Sequence, residues 1–157
     1  MALVLENAYL FTNLNKSFKS LGKAKKRLKP YSSDGSCIEM VIVDIDIKPG
    51  NYPNSINLKS KGKVPVAILT TDVFDAYAVD PVSCVFAGAY PFRWNMEDVE
   101  HDGDQDMLFH FMTQELDLDE NSTKAFLEGL TYDGLTITDT DSINIVPKSK
   151  ADNIKIK

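Results

Sequence analysis

Residues 91–112 read PFRWNMEDVEHDGDQDMLFHFM, and the period of their apolar positions decides the fold class. Phe92, Trp94 and Met96 alternate with Arg93, Asn95 and Glu97 before the acidic run, and Met107, Phe109 and Phe111 alternate with Leu108 and His110 after it. Successive side chains of a strand point to opposite faces, so period two on both flanks means strand, loop, strand. The alternation assigns Phe92, Trp94 and Met96 to the core side of the first strand. A sugar-stacking surface built from Trp94 with Tyr90, Phe92 and Arg93 is the alternative.

The same grammar extends in both directions. IEMVIVDIDI (38–47) is β-branched and alternates across Val41, Val43, Ile45 and Ile47, leaving Asp44 and Asp46 on the other face. KPGNYPNS follows as a loop, then SINLKSKG and VPVAILTT as two strands or one long bent strand, with Pro65 suggesting an edge or a bulge. VSCVFAG is a short strand closed by Gly88. LDLDENSTKAF has room for a short helical turn, and TYDGLTITDTDSINIV returns to strands around an Asp133-Gly134 turn of type I′ character. Strands at this spacing predict an all-β chain, an immunoglobulin-like antiparallel β-sandwich of about seven or eight strands.

Residues 1–37 differ. Leu3, Leu5, Leu10, Phe11, Leu14, Phe18 and Leu21 recur near helical spacing, which predicts a helix from Ala2 to Lys29 that Pro30 and YSSDGS terminate. Its second half, KSFKSLGKAKKRLK, is basic and suits either a solvated arm or an anionic surface. The domain division is therefore a basic helical extension and linker (1–37) and a β-sandwich domain (38–157).

At 157 residues the chain has the length of one domain. The first 37 residues carry a net charge of +5, which leaves -11 for the rest of a chain whose net charge is -6. A body so acidic repels nucleic acid and attracts cations. No run approaches the ~18 apolar residues of a membrane span, and MALVLENAYLF lacks the positive n-region and cleavage site of a secretory signal. Cys37 and Cys84 permit one disulfide or none, and SCVFAG places Cys84 as a buried thiol.

The loop DVEHDGDQD (98–106) is the candidate site. Counting from its first residue, Asp98, Glu100 and Asp102 occupy positions 1, 3 and 5, Gly103 position 6, Asp104 position 7 and Asp106 position 9. Ca²⁺ takes six to eight oxygens, which alternate residues of a tight loop can supply, and Gly at position 6 permits the reversal. Without a cation these carboxylates repel one another. Position 12 is Phe109 and the flanks are strands, which excludes an EF-hand. The loop resembles the calcium loops of FG-GAP repeats in integrin-type propellers. That resemblance implies side-chain ligation by Asp98, Glu100, Asp102 and Asp106 and backbone ligation at Asp104, with Glu100 departing from the usual Asn or Asp. Mg²⁺ fits less well, because it keeps more of its waters. Further acids stand as candidates for a second ion: Asp44 and Asp46, the group Asp72, Asp75 and Asp80, and the pair Asp139 and Asp141.

Catalysis has little to build on. His101 and His110 have no triad or zinc spacing to Ser, Cys or another His, and no Gly-rich phosphate loop is present. A surface His and a half-buried strand His are the expected readings.

From Val43 to Val146 the chain also resembles a module of large secreted and surface proteins of bacteria and archaea. The residues that carry this are VDIDIKPGNYPNSINLKSKGKVPVAILTT, FDAYAVDPVSCVFAGA, EDVEHDGDQDMLFHF and DSINIV. The resemblance implies an extracellular or cell-surface setting and no catalytic activity. The expectation is a non-enzymatic calcium-binding β-sandwich module with a structural, adhesive or spacer role, its partners a calcium ion and surface proteins or glycans. The alternatives are a carbohydrate-binding module with structural calcium and a small metal-dependent hydrolase.

Overall fold

The computed structural model describes residues 40–147 and the backbone of residues 27 and 28. The helix expected over 2–29 falls outside the described residues except at its end, where Arg27–Leu28 form a two-residue strand, β1. The basic helical pattern therefore does not run through Arg27 and Leu28, which pair antiparallel with Val41 and Met40.

The described chain is all-β, as the alternation predicts. Eleven strands are described: β1, β2 (Met40–Ile42), β3 (Asp44–Ile47), β4 (Ser55–Ile56), β5 (Lys63–Leu69), β6 (Val79–Phe86), β7 (Arg93–Glu97), β8 (Asp106–Met112), β9 (Lys124–Thr131), β10 (Thr136–Ser142) and β11 (Asn144–Ile145). They form a five-stranded sheet ordered β1-β2-β10-β9-β6, a four-stranded sheet ordered β3-β5-β8-β7, and the pair β11-β4. Most neighbours are antiparallel, but β2 with β10 and β4 with β11 are parallel. Strand alternation carries no information on pairing direction, so the sequence did not reveal these two.

One core lies between the two larger sheets. Ile45, Ile47, Val66, Ile68, Phe109 and Phe111 of the four-stranded sheet meet Val79, Cys84, Phe86, Leu127 and Ile137 of the five-stranded sheet in a single cluster. Phe86 and Phe111 touch across the gap with ring centroids 5.1 Å apart. Each such side chain contributes about 1.5–3 kcal/mol by leaving water. The sheets are also joined covalently: the run 40–47 breaks at buried Val43, giving β2 to one sheet and β3 to the other.

Three local expectations change. Pro65 lies in an internal strand rather than at an edge or a bulge, since β5 has β3 on one side and β8 on the other. Its carbonyl accepts from Lys48 N–H at 2.8 Å on the side where β3 has just ended at Ile47. The donor that Pro lacks is thus missing where the ladder stops anyway. The Asp133-Gly134 turn is not type I′, because only Gly134 has positive φ; Gly134 N–H donates to Thr131 O and Thr131 N–H to Leu135 O, a three-residue loop with an αL Gly. The I′ geometry occurs instead at Ala87-Gly88, where both φ are positive and Phe86 and Ala89 exchange two 2.9 Å bonds. Residues 116–126 hold a turn closed by Ser122 N–H on Asp119 O, rather than a helical one.

β6 is distorted where Asp80 pairs with Leu130 but Val85 pairs with Glu128, so residues 81–84 bulge against Gly129. A Cβ at Gly129 would stand 2.7 Å from Cys84 Sγ, which explains a glycine mid-strand. Ser83 Oγ repairs the ladder by accepting from Leu130 N–H and donating to Asp80 O. Cys84 is a buried free thiol, as expected, and burial pushes its pKa up to about 12. Cys37 lies outside the described residues.

Candidate metal centre

The loop 98–106 joins β7 to β8 on the outer face of the four-stranded sheet. That face carries Asp44 and Asp46 from β3 beside a small apolar patch of Ala67, Leu69 and Leu108, and Val99 folds back onto the patch. Val99 anchors the loop's first half there. His101 at φ 60° and Gly103 at φ 101° supply left-handed turns, so the flexibility read at Gly103 is used.

The five sequence-selected acids divide into two kinds. Asp106 is 1% exposed, and both its oxygens take backbone donors: Oδ1 accepts from Thr70 N–H at 2.8 Å and Oδ2 from Val99 N–H at 3.0 Å. Asp102 and Asp104 are exposed and Asp98 is half-buried. The Asp98 carboxylate accepts from Asp102 N–H and Gly103 N–H, both at 3.1 Å, and Asp102 Oδ1 accepts from Asp104 N–H at 3.0 Å. These bonds satisfy amides that the tight turn would leave open.

Glu100 is exposed, yet the acids of β3 act on it. Its carboxyl is pushed above the ordinary range by desolvation and then by Asp102, Asp106, Asp46 and Asp44. Asp46 is raised as well, by desolvation and by Asp141. Asp139 is raised to about 6, chiefly by burial and further by Asp44 and Asp141, against the lowering effect of backbone donors at Thr140 and Ile45. Its Oδ2 accepts from Ile45 N–H at 3.2 Å, and Asp141 Oδ2 accepts from Asn54 Nδ2 at 2.8 Å. The loop, β3 and β10 thus share one field of negative charge.

The third group separates from this field. Asp75 caps the 3-10 turn at Ala76–Ala78 by accepting from Tyr77 N–H, and Asp80 accepts from Val82 N–H. They serve local turns. Sequence reasoning also missed Thr70, whose hydroxyl donates to Gln105 O at 2.6 Å and accepts from Ala76 N–H at 3.0 Å. Its position directly after VPVAIL is the only signal it gives.

The donor set is all oxygen, which suits a hard cation. Among the described residues no three His, Cys, Asp or Glu side chains converge as ready metal ligands. Asp106 already spends one lone pair of each oxygen on an amide. A cation in the loop would therefore draw Asp98, Glu100 and Asp102 inward around a turn whose backbone is already shaped.

The aromatic residues of the first strand are not core. Phe92 is 58% exposed, Trp94 41% and Tyr90 66%, because β7 is the outermost strand of its sheet and, among the described residues, no strand covers its flank. Only Met96 packs against the core cluster. Lys63 Nζ stands 4.2 Å from the centroid of the Phe92 ring. His101 is exposed; His110 is half-buried, held below its ordinary value by desolvation and by Arg93 and Lys63.

Comparison of the chain with protein-family models, with curated proteins and with solved structures gives no match.

Proposed function

We propose that the protein is a non-catalytic, immunoglobulin-like β-sandwich module of a secreted or surface protein, and that it binds Ca²⁺ through residues 98–106. Its role is structural, adhesive or spacing. The observation that supports this reading is the tight turn itself, in which Asp98 accepts from Asp102 N–H and Gly103 N–H and Asp102 from Asp104 N–H, gathering like charges beside an exposed Glu100 whose carboxyl is raised by desolvation and by repulsion from Asp102, Asp106, Asp46 and Asp44. A divalent cation relieves that repulsion, and the loop is anchored at both ends, by Val99 on the apolar patch and by Asp106 and Thr70 at β8. Asp98, Glu100 and Asp102 would contribute side-chain oxygens, Asp104 its carbonyl, and Asp106 its remaining lone pairs.

A cation that binds the folded loop and not the unfolded chain raises stability by mass action, ~2.7 kcal/mol at a hundredfold excess over Kd. Calcium titration followed by thermal unfolding is expected to raise Tm, chelator to reverse it, and Asp102→Ala to abolish it. A Tm that does not respond to millimolar Ca²⁺ overturns the reading.

The exposure of Tyr90, Phe92 and Trp94 favours a second reading, a carbohydrate-binding module in which these rings stack on sugar faces. Titration with a glycan panel is then expected to change Trp94 fluorescence, and Trp94→Ala to remove binding.

A further inference from the structure

We propose that β7 is the seam of a two-fold dimer, in which a second copy of this chain lays its own β7 antiparallel against the first and the four-stranded sheet continues into an eight-stranded one. The inference does not rest on the calcium reading, and it competes with the sugar reading for Trp94.

The edges of the two sheets are unequal. β6 closes one edge of the five-stranded sheet, and there the bulge at residues 81–84 and Pro81 break its outline. β3 has four residues, and the Asp139 carboxylate already takes its Ile45 N–H. Both are edges of the kind that resist strand addition. β7 is a regular five-residue strand bonded to β8 on one side, with no strand on the other among the described residues. Four of its five residues are exposed.

The sequence of β7 selects the occupant, because RWNME is complementary to itself. Opposed side chains in an antiparallel ladder share a face, so a two-fold pairing must centre on a residue. Centred on Asn95, it sets Arg93 against Glu97 of the second copy, Trp94 against Met96, and Asn95 against Asn95. Both charges are paired twice, on the face where Asn95 Nδ2 already bonds Glu97 Oε2 at 3.1 Å. On the opposite face each 41%-exposed Trp94 gains a thioether neighbour. Centring on Trp94 would set Arg93 against Asn95 and lose both ion pairs, and centring on Met96 would set Trp94 against Asp98. Only the Asn95 register satisfies charge and apolar surface together.

The full-length chain in chelator and without glycan is to be followed by sedimentation equilibrium from micromolar to millimolar concentration. Arg93→Glu and Glu97→Arg are the probes, both at exposed positions. The unaltered chain is expected to dimerise, and each variant alone to associate at least tenfold more weakly, since like charges then face each other. An equimolar mixture of the two variants is expected to recover a one-to-one dimer, because each then opposes the other's charge. A chain monomeric throughout, a dimer indifferent to either substitution, or a mixture that fails to recover association overturns the proposal.

Discussion

Asp106 and Glu100 lie six residues apart in one acidic loop, and the fold uses them in opposite ways. Asp106 is sealed and spends its carboxylate on the amides of Thr70 and Val99. Glu100 is exposed, and its carboxyl is raised by desolvation and by the charges of Asp102, Asp106, Asp46 and Asp44. Acids at equal spacing can thus hold a backbone together or strain against it, and the deciding factor is whether N–H groups reach the carboxylate.

Truncation separates the two most sharply. Asp106→Ala leaves two amides without an acceptor at a buried site and is expected to cost ~3 kcal/mol in urea unfolding. Glu100→Ala removes a repelled charge and is expected to stay within ~0.5 kcal/mol of the parent without calcium. Equal losses would erase the distinction.

Asp139 combines both behaviours, since it accepts from Ile45 N–H and still sits at about 6. Its folded value lies above its unfolded value, so its favourable contribution is complete below ~4 and is lost as pH rises through about 6. Asp139→Asn is expected to remove up to ~3 kcal/mol of this pH dependence, measured by unfolding at a series of pH values. An unchanged slope between pH ~4 and ~6 would show that the amide, not the burial, governs Asp139.

The smallest effect belongs to Asp119, which is fully exposed and lowered by the N–H of Asn121 and by the Ser122 hydroxyl. Its sign is opposite, with stability present above its ordinary value and lost as pH falls. Asp119→Ala is expected to blunt acid destabilisation slightly, and NMR titration of the Asp119 carboxyl should place it below the Asp139 carboxyl. The reverse order would sink the account of both.

Much of the fold was legible because burial follows alternation. Val43, Ile45 and Ile47 are buried as their period required, and Cys84 is buried in the apolar run that contains it. The misses share a cause, since each depends on what lies beside a strand rather than along it. Trp94 and Phe92 keep period two but lie at an edge, and Pro65 is tolerated in an internal strand because β3 stops beside it. Spacing alone selected the five acids of the candidate site. That Asp106 faces inward depends on Thr70 arriving from the end of β5 and on Val99 folding back onto the apolar patch.

The passage of residues 40–47 from one sheet to the other has a consequence for how the protein opens. Val43 N–H reaches Thr138 O in the five-stranded sheet, and two residues on, Ile45 pairs with Ile68 in the four-stranded one. Peeling either sheet apart pulls on the other through two peptide links, so partial opening gains little freedom. The amide hydrogens of Val43 and Ile45 should therefore exchange with solvent deuterons only through global unfolding, at the slow limit of the protein.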